Sequence, residues 1–188
     1  MMTSIEETIQ MPEHIKIDIA HANLLTSLIC CNKPKSILEL GLGGGRSADA
    51  IMKGIQYNQN NPTYTLVDNW LDYNYVQPQN FVNTFGGKIN IITSDEKSFV
   101  YSCTEKYDFI LSDADHQHTN EWFEYVFDNL LNNDGILIYH DVSFLPGHYQ
   151  NLLEIYYKCI ERNIKFKLFN KNSLPNEKCE RGLMVIFK

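Results

Sequence analysis

The residues best equipped for chemistry fall in two short runs. Ser112-Asp113-Ala114-Asp115-His116-Gln117-His118 sets acids and imidazoles side by side, and Tyr139-His140-Asp141-Val142 brings the pairing back further along the chain. Carboxylates and imidazoles held together can bind a divalent cation. They can equally supply a general base for a hydroxyl group, because imidazole titrates near neutral pH. A third run, Glu39-Leu40-Gly41-Leu42-Gly43-Gly44-Gly45-Arg46-Ser47, is rich in glycine. Glycine lets a chain turn sharply and lets a ligand approach the backbone with no Cβ in the way. Two further acids, Asp68 and the Asp95 of Thr93-Ser94-Asp95, each close an apolar run. A carboxylate in such a place can accept two hydroxyl donors or one exocyclic amine, the groups a nucleoside offers.

These runs need a scaffold that brings them to one place. Ser36–Leu40, Thr63–Val67, Ile89–Thr93, Tyr107–Leu111 and Ile136–Tyr139 read as short apolar strands, the last of the fully buried kind. Between them lie helical patterns: Pro12–Cys31 with Ile15, Ile19, Ala22, Leu25 and Ile29 on one face, Arg46–Gln56, a helix starting near Asp95, and Trp122–Leu131 stopped by Asn132-Asn133-Asp134-Gly135. The aromatic stretch 69–88 is expected to form a helix with loops. A helix over Tyr149–Arg162 precedes strands at Ile164–Phe169 and Leu183–Phe187, which lack a helix between them and should pair antiparallel. Strands alternating with helices predict an α/β doubly wound, Rossmann-like sheet of about seven strands, mostly parallel with an antiparallel last strand. In such sheets ligands sit at the carboxyl ends of the strands, where the strand order reverses, and every chemical run above follows a strand.

The glycine run discriminates between cofactors. A nicotinamide or flavin fingerprint, G-x-G-x-x-G, counted from Gly41 would need glycine where Arg46 stands, and counted from Gly43 it meets Ala48, a permitted variant. A dinucleotide is thereby weakened and stays an alternative. What the run does match is E-x-G-x-G-x-G, through Glu39, Gly41, Gly43 and Gly45. Here the chain resembles the class I S-adenosylmethionine-dependent methyltransferases, and the resemblance extends over nearly its whole length. It implies S-adenosylmethionine as cofactor, with Asp68 on the ribose hydroxyls, Asp95 on the adenine amino group, and Glu39 and Gly41 against the methionine end. Ser47, opening a helix, would receive the methionine carboxylate. Arg46 would pair with that carboxylate or be solvated, and Trp70 would shield the adenosine or pack in the core.

The second half of the resemblance is to O-methyltransferases of the catechol and antibiotic-sugar types. The former carry Asp-Ala-Asp after the fourth strand and Asp-Asn after the fifth, with Mg2+ between; the latter carry Asp-x-x-His, with the Asp on metal and the His as base. Asp113 and His116 fit the second pattern, and Asp141 fits the later metal ligand. His140 stands where those groups have an acid, implying a softer site or none, and is counted with Asp113 and Asp141 as a candidate ligand. The expected reaction is methyl transfer to a hydroxyl of a small polar acceptor, a sugar or a phenol, with His116 and Asp113 catalytic. A silent protein that keeps the cofactor loop is the other reading. Asp115 is expected to orient a neighbour, and His118 and His148 to lie on loops or the surface.

Composition bounds the rest. The chain has 188 residues, 44% hydrophobic and 21% charged, which suits one domain over 1–188 with a helical N-terminal segment at 1–33. Its net charge of −7 sets it against nucleic acid as a partner. It also lacks the Asn/Asp-Pro-Pro-Tyr motif of amine methylation after the fourth strand. No apolar run reaches the ~20 residues of a membrane span, and the N-terminus lacks a signal pattern. With 5 cysteines and no C-x-x-C, reduced thiols and a cytoplasmic setting are expected. Acceptor walls should come from 70–85, 143–150 and 170–181, leaving a pocket that stands open or is completed by a second copy in a homodimer.

Overall fold

The structure is a computed structural model that describes residues 16–71, 88–144, 150–172 and 180–188. Its described elements run α1 (Ile19–Asn32), β1 (Ser36–Leu40), α2 (Arg46–Asn58), β2 (Thr63–Asp68), β3 (Asn90–Thr93), α3 (Glu96–Ser102) and β4 (Tyr107–Ser112). There follow α4 (Thr119–Tyr125), a π-helical turn at Val126–Leu130, β5 (Leu131–Val142), α5 (Gln150–Glu161), β6 (Lys165–Asn172) and β7 (Glu180–Phe187). The strands form one seven-stranded sheet in the order β3-β2-β1-β4-β5-β7-β6. All pairings from β3 to β5 are parallel, while β7 runs antiparallel to both β5 and β6. This is the Rossmann-like arrangement expected, and the order reverses between β1 and β4 at its centre.

Side-chain alternation along each strand divides the core in two. Ile37, Phe109, Leu111, Ile136, Ile138 and Val185 face α1 and α2, where they meet Leu25, Ile29 and Ile51. Leu38, Leu40, Ile110, Leu137, Tyr139 and Ile186 face the other way, onto Trp122, Phe123 and Ile155. A parallel sheet apolar on both faces must be covered on both, which the crossover helices do. The same alternation decides where polar residues of the strands go. Glu39 follows Ile37 toward α2, and His140 follows Ile138 toward α1.

Three local boundaries differ from the sequence expectation. The described part of the first helix begins at Ile19, after Asp18 as its N-cap; the earlier portion expected from Pro12 falls outside the described residues for 12–15 and is non-helical at 16–18. The helix expected to reach Leu131 is α-helical only to Tyr125 and closes through the π-helical turn. Asn132–Gly135, expected as a helix stop, already belong to β5, because Leu131 pairs with Tyr107 before the register shifts to Phe109↔Ile136. The helix expected within 69–88 lies outside the described residues over 72–87.

Candidate functional site

At the carboxyl edge of the sheet, backbone hydrogen bonds fasten the strand ends together. Gly41 N–H donates to Val67 O at 2.8 Å, Asp113 N–H to Leu40 O at 2.8 Å, and Ser94 N–H to Asp68 O at 3.1 Å. Gly41 has φ +83°, and a Cβ there would come within 2.5 Å of Asp113 O and 2.7 Å of Ala114 Cα. Only glycine lets the β1 loop lie against the β4 loop. Asp68 braces this edge: one carboxylate oxygen accepts from Leu42 N–H at 2.8 Å and the other from Trp70 N–H at 2.6 Å. Because a carboxylate offers about four acceptor directions, both oxygens keep capacity for a ligand's hydroxyls.

A cleft of about 400 Å³ opens along this edge. Gly41, Gly43, Asp68 and Asp95 line one part of it and Asp113 and His116 another. Asp95 is the N-cap of α3, where its Oδ1 accepts from Ser98 N–H at 2.9 Å. Those hydrogen bonds from Ser98 hold its carboxyl below the usual range. Glu39, Gly45, Ser47 and Trp70 stand behind the described wall. Strand alternation buries Glu39 completely; Ser47 Oγ donates to its Oε1 at 2.5 Å and Tyr64 O–H to its Oε2. Burial pushes the Glu39 carboxyl up to about 8, against those two hydrogen bonds. Gly45, at φ +77°, is the N-cap of α2. Arg46 is neither solvated nor at the cleft: it is buried, with Nη1 donating to Ile17 O at 2.9 Å. Trp70 packs in the core beside α1 and α2.

The acid and imidazole runs do meet. His116 Nε2 lies 3.1 Å from Asp113 Oδ1 and 3.6 Å from Asp141 Oδ2. His140 Nδ1 lies 3.3 Å from Asp113 Oδ1 and 3.3 Å from Asp141 Oδ1, with Arg181 Nε 3.9 Å from the latter. The His140 Nδ1 and Asp141 Oδ1 contacts are ion pairs without aligned hydrogen bonds, although both atoms are buried. Burial alone would raise the Asp113 carboxyl, but His140 and His116 outweigh it and hold it well below the carboxylate range. Burial works against an imidazolium at His140, yet Asp113 and Asp141 raise its pKa to about 9. His116 is raised as well, burial again being outweighed by Asp113 and Asp141. Asp141 adopts φ +59°, a left-handed conformation costly for a residue with a Cβ, and such strain gathers at functional sites. Asp115 turns back on its own loop, accepting from Gln117 N–H and pairing with the exposed His118 at 3.0 Å.

Two residues of this edge are absent from the sequence expectation. Glu96, buried at the cleft, accepts from Ser112 Oγ at 2.7 Å, Asp115 N–H at 3.0 Å and Thr119 Oγ1 at 3.3 Å, so one carboxyl ties α3 to the loop after β4. His21 of α1 brings its Nδ1 to 3.3 Å from His140 Nε2. Glu96 gives no signal in sequence, being one more acid in a first helical turn. His21 gives a weak one, since it sits on the apolar stripe of Leu25 and Ile29.

Known structures share this architecture. The O-methyltransferase of Bacillus cereus in complex with SAH superposes with a TM-score of 0.74 at 16% identity, over 94% of this chain and 84% of that one. The SAH-bound Podospora anserina methyltransferase PaMTH1 gives 0.73 at 18% identity, over 95% and 83%. The O-methyltransferase TomG from Streptomyces achromogenes, in complex with SAM, gives 0.75 at 12% identity, over 98% and 86%. At such identities the likeness speaks for the fold alone. A search of curated proteins finds no match. The methyltransferase domain family, by contrast, matches residues 38–142, from the middle of β1 to the end of β5. That span holds the glycine loop, Asp68, Asp95 and the acid and imidazole runs after β4 and at the end of β5, and the chain belongs to the methyltransferase domain family.

Proposed function

We propose that the protein is an S-adenosylmethionine-dependent O-methyltransferase acting on a hydroxyl of a small polar molecule, a sugar or a phenol. The observation that carries this reading is one cleft with Asp68 and Asp95 along one part and Asp113 and His116, backed by Asp141, along the other. Asp68 accepts the ribose hydroxyls and Asp95 the adenine amino group, each beyond the backbone bonds it already makes. Gly41 and Gly43 leave room for the cofactor to lie against the backbone, while Glu39 and Ser47 brace the loop from beneath. When bound, S-adenosylmethionine would supply an electrophilic sulfonium methyl for transfer to the acceptor oxygen, and His116 is placed to take the proton of the acceptor hydroxyl.

The donor set suits Mg2+, which takes one or two carboxylates and keeps waters and substrate oxygens. Asp113 and Asp141 would hold it, and the buried Asp141 Oδ1 without an aligned hydrogen bond is an oxygen in want of such a partner. The ion would lower the pKa of the acceptor hydroxyl. His140, expected with these acids as a ligand, instead holds both carboxylates in place through Nδ1. His116 stays the base, oriented by Asp113. The net charge of −7 argues for a small acceptor rather than nucleic acid, and among the described residues no helix is long and apolar enough to cross a membrane. A cytoplasmic setting accords with both.

Calorimetric titration with S-adenosylmethionine and its demethylated product, each with and without Mg2+, tests the reading. Binding of both, followed by Mg2+-dependent turnover in a hydroxyl-acceptor screen, is the expected outcome. Cofactor binding with no response to Mg2+ in any acceptor assay would remove the metal. Failure of both nucleosides to bind would overturn the proposal and return attention to dinucleotides.

A further inference from the structure

His140 has two ring nitrogens, and they face different partners. Nδ1 meets Asp113 and Asp141, each at 3.3 Å, while Nε2 points away from the cleft to His21 Nδ1 at 3.3 Å. The rings of His21 and His140 stand nearly perpendicular, at 82°. Beside them is Asp18, whose Oδ2 lies 3.8 Å from His21 Nδ1. Asp18 is the N-cap of α1, a position where an aspartate ordinarily accepts from the helix's first N–H groups; here its side chain makes no capping hydrogen bond. Its Oδ2 is buried with no hydrogen-bond partner among the described residues. His21 and His140 are 3% and 2% exposed. The three donor atoms, Asp18 Oδ2, His21 Nδ1 and His140 Nε2, lie within 4.8 Å of one another.

We propose that Asp18, His21 and His140 form a second cation site, for a zinc-type transition ion, on the far side of His140 from the carboxylates. Donors about 2.0–2.1 Å from a tetrahedral zinc ion stand about 3.4 Å apart. The spacings of 3.3 and 3.8 Å are close to that. Two imidazoles and one carboxylate select zinc, cobalt, nickel or copper over Mg2+ and Ca2+. A ligating histidine characteristically donates its other ring N–H to a carboxylate, which fixes the tautomer and strengthens the donor nitrogen. Asp113 and Asp141 are placed to do that for His140. The ion would pin the start of α1 to the end of β5, joining a helix and a strand that have no direct backbone pairing.

The test uses the full chain stripped by a chelator, with excess Mg2+ present to occupy the oxygen site, and Co2+ as a spectroscopic probe for zinc. Co2+ should bind as a single ion with the visible d–d absorption of imidazole coordination at low coordination number, and Zn2+ should displace it and raise the melting temperature. His21→Ala should abolish that spectrum. Asp18→Asn, at the most exposed and least bonded of the three positions, keeps the fold and should weaken Co2+ on the order of tenfold or more. Asp113→Asn should keep the spectrum but cost about 10–100-fold in affinity, by removing a carboxylate behind His140. No Co2+ spectrum in the folded wild type, or one unchanged in both His21→Ala and Asp18→Asn, would overturn the site. Neither readout needs S-adenosylmethionine or turnover, so a failure here is separate from a failure of the methyltransferase reading.

Discussion

His116 is held on one side by Asp113 at 3.1 Å and approached by Asp141 at 3.6 Å, on the loop after β4 where it lines the cleft. Removing it should therefore cost chemistry rather than folding. His116→Ala is expected to lower kcat by about 10²–10⁴-fold, the usual worth of a positioned base, with S-adenosylmethionine affinity unchanged by calorimetry. Unchanged turnover would remove His116 as the base. Glu39 presents the opposite case. Its carboxyl is raised from 4.5 to about 8 by burial, so the folded chain holds that proton more tightly than the unfolded one. The stability this contributes is complete below 4.5 and is lost as pH rises through about 8. Glu39→Gln, of the same shape and never charged, should flatten the fall in melting temperature across that window. An unchanged pH profile would assign the fall to other groups. That Asp113, His116 and Asp141 come together was legible in the sequence because each stands at or just past the end of an apolar strand run. The place of Glu96 was not, since its burial is created by Ser112, Asp115 and Thr119 arriving from another part of the chain.

Elements bring such residues together through close packing, and α1 lies close against α2 at Gly54. A Cβ there would fall 2.6 Å from Ile29 Cβ and 3.0 Å from Thr26 O. In an exposed helix interior, glycine to alanine gains about 1 kcal/mol of helix propensity. Overpacking a filled contact costs about 1–3 kcal/mol. Ile29 is fully buried and the approach is to backbone as well as side chain, so the cost should win. Gly54→Ala is expected to destabilise the chain in urea by up to about 2 kcal/mol net, and a stabilised variant would show that α1 can shift freely. The helical spacing of Leu25 and Ile29 made α1 legible, and β1, β2, β4 and β5 were legible as short apolar runs rich in strand formers. What misled was the Asn132–Gly135 run, whose residue types announce a helix stop. The chain is already extended there because Leu131 pairs with Tyr107, a long-range contact that local composition does not encode.

For the molecule as a whole, the decisive property is that β1 and β4 are neighbours although β2 and β3 lie between them in sequence. From there the chain leads to α2 on one face of the sheet after β1 and to α4 on the other after β4, and the cleft opens at these strand ends. Alternating strands and helices predict such a crevice; the insertion of β7 between β5 and β6 is less legible, because two terminal strands can pair in either spatial order. A ligand spanning this crevice touches the ends of β1, β2 and β4 at once, so its binding should be felt by the entire sheet rather than by one loop. At a concentration 100 times its dissociation constant, S-adenosylmethionine would add about 2.7 kcal/mol to unfolding. For a chain of this size each kcal/mol shifts the melting temperature by about 2–4 °C, giving an expected rise of about 5–11 °C. Asp68→Asn should shrink that rise, since the carboxylate that joins the β1 loop to the end of β2 is the one proposed to receive the ribose. The comparison to make is the ligand-induced shift in each protein, not the starting temperature, because Asp68 supports the edge even when the cleft is empty. A full shift in Asp68→Asn would place the nucleoside elsewhere on the molecule.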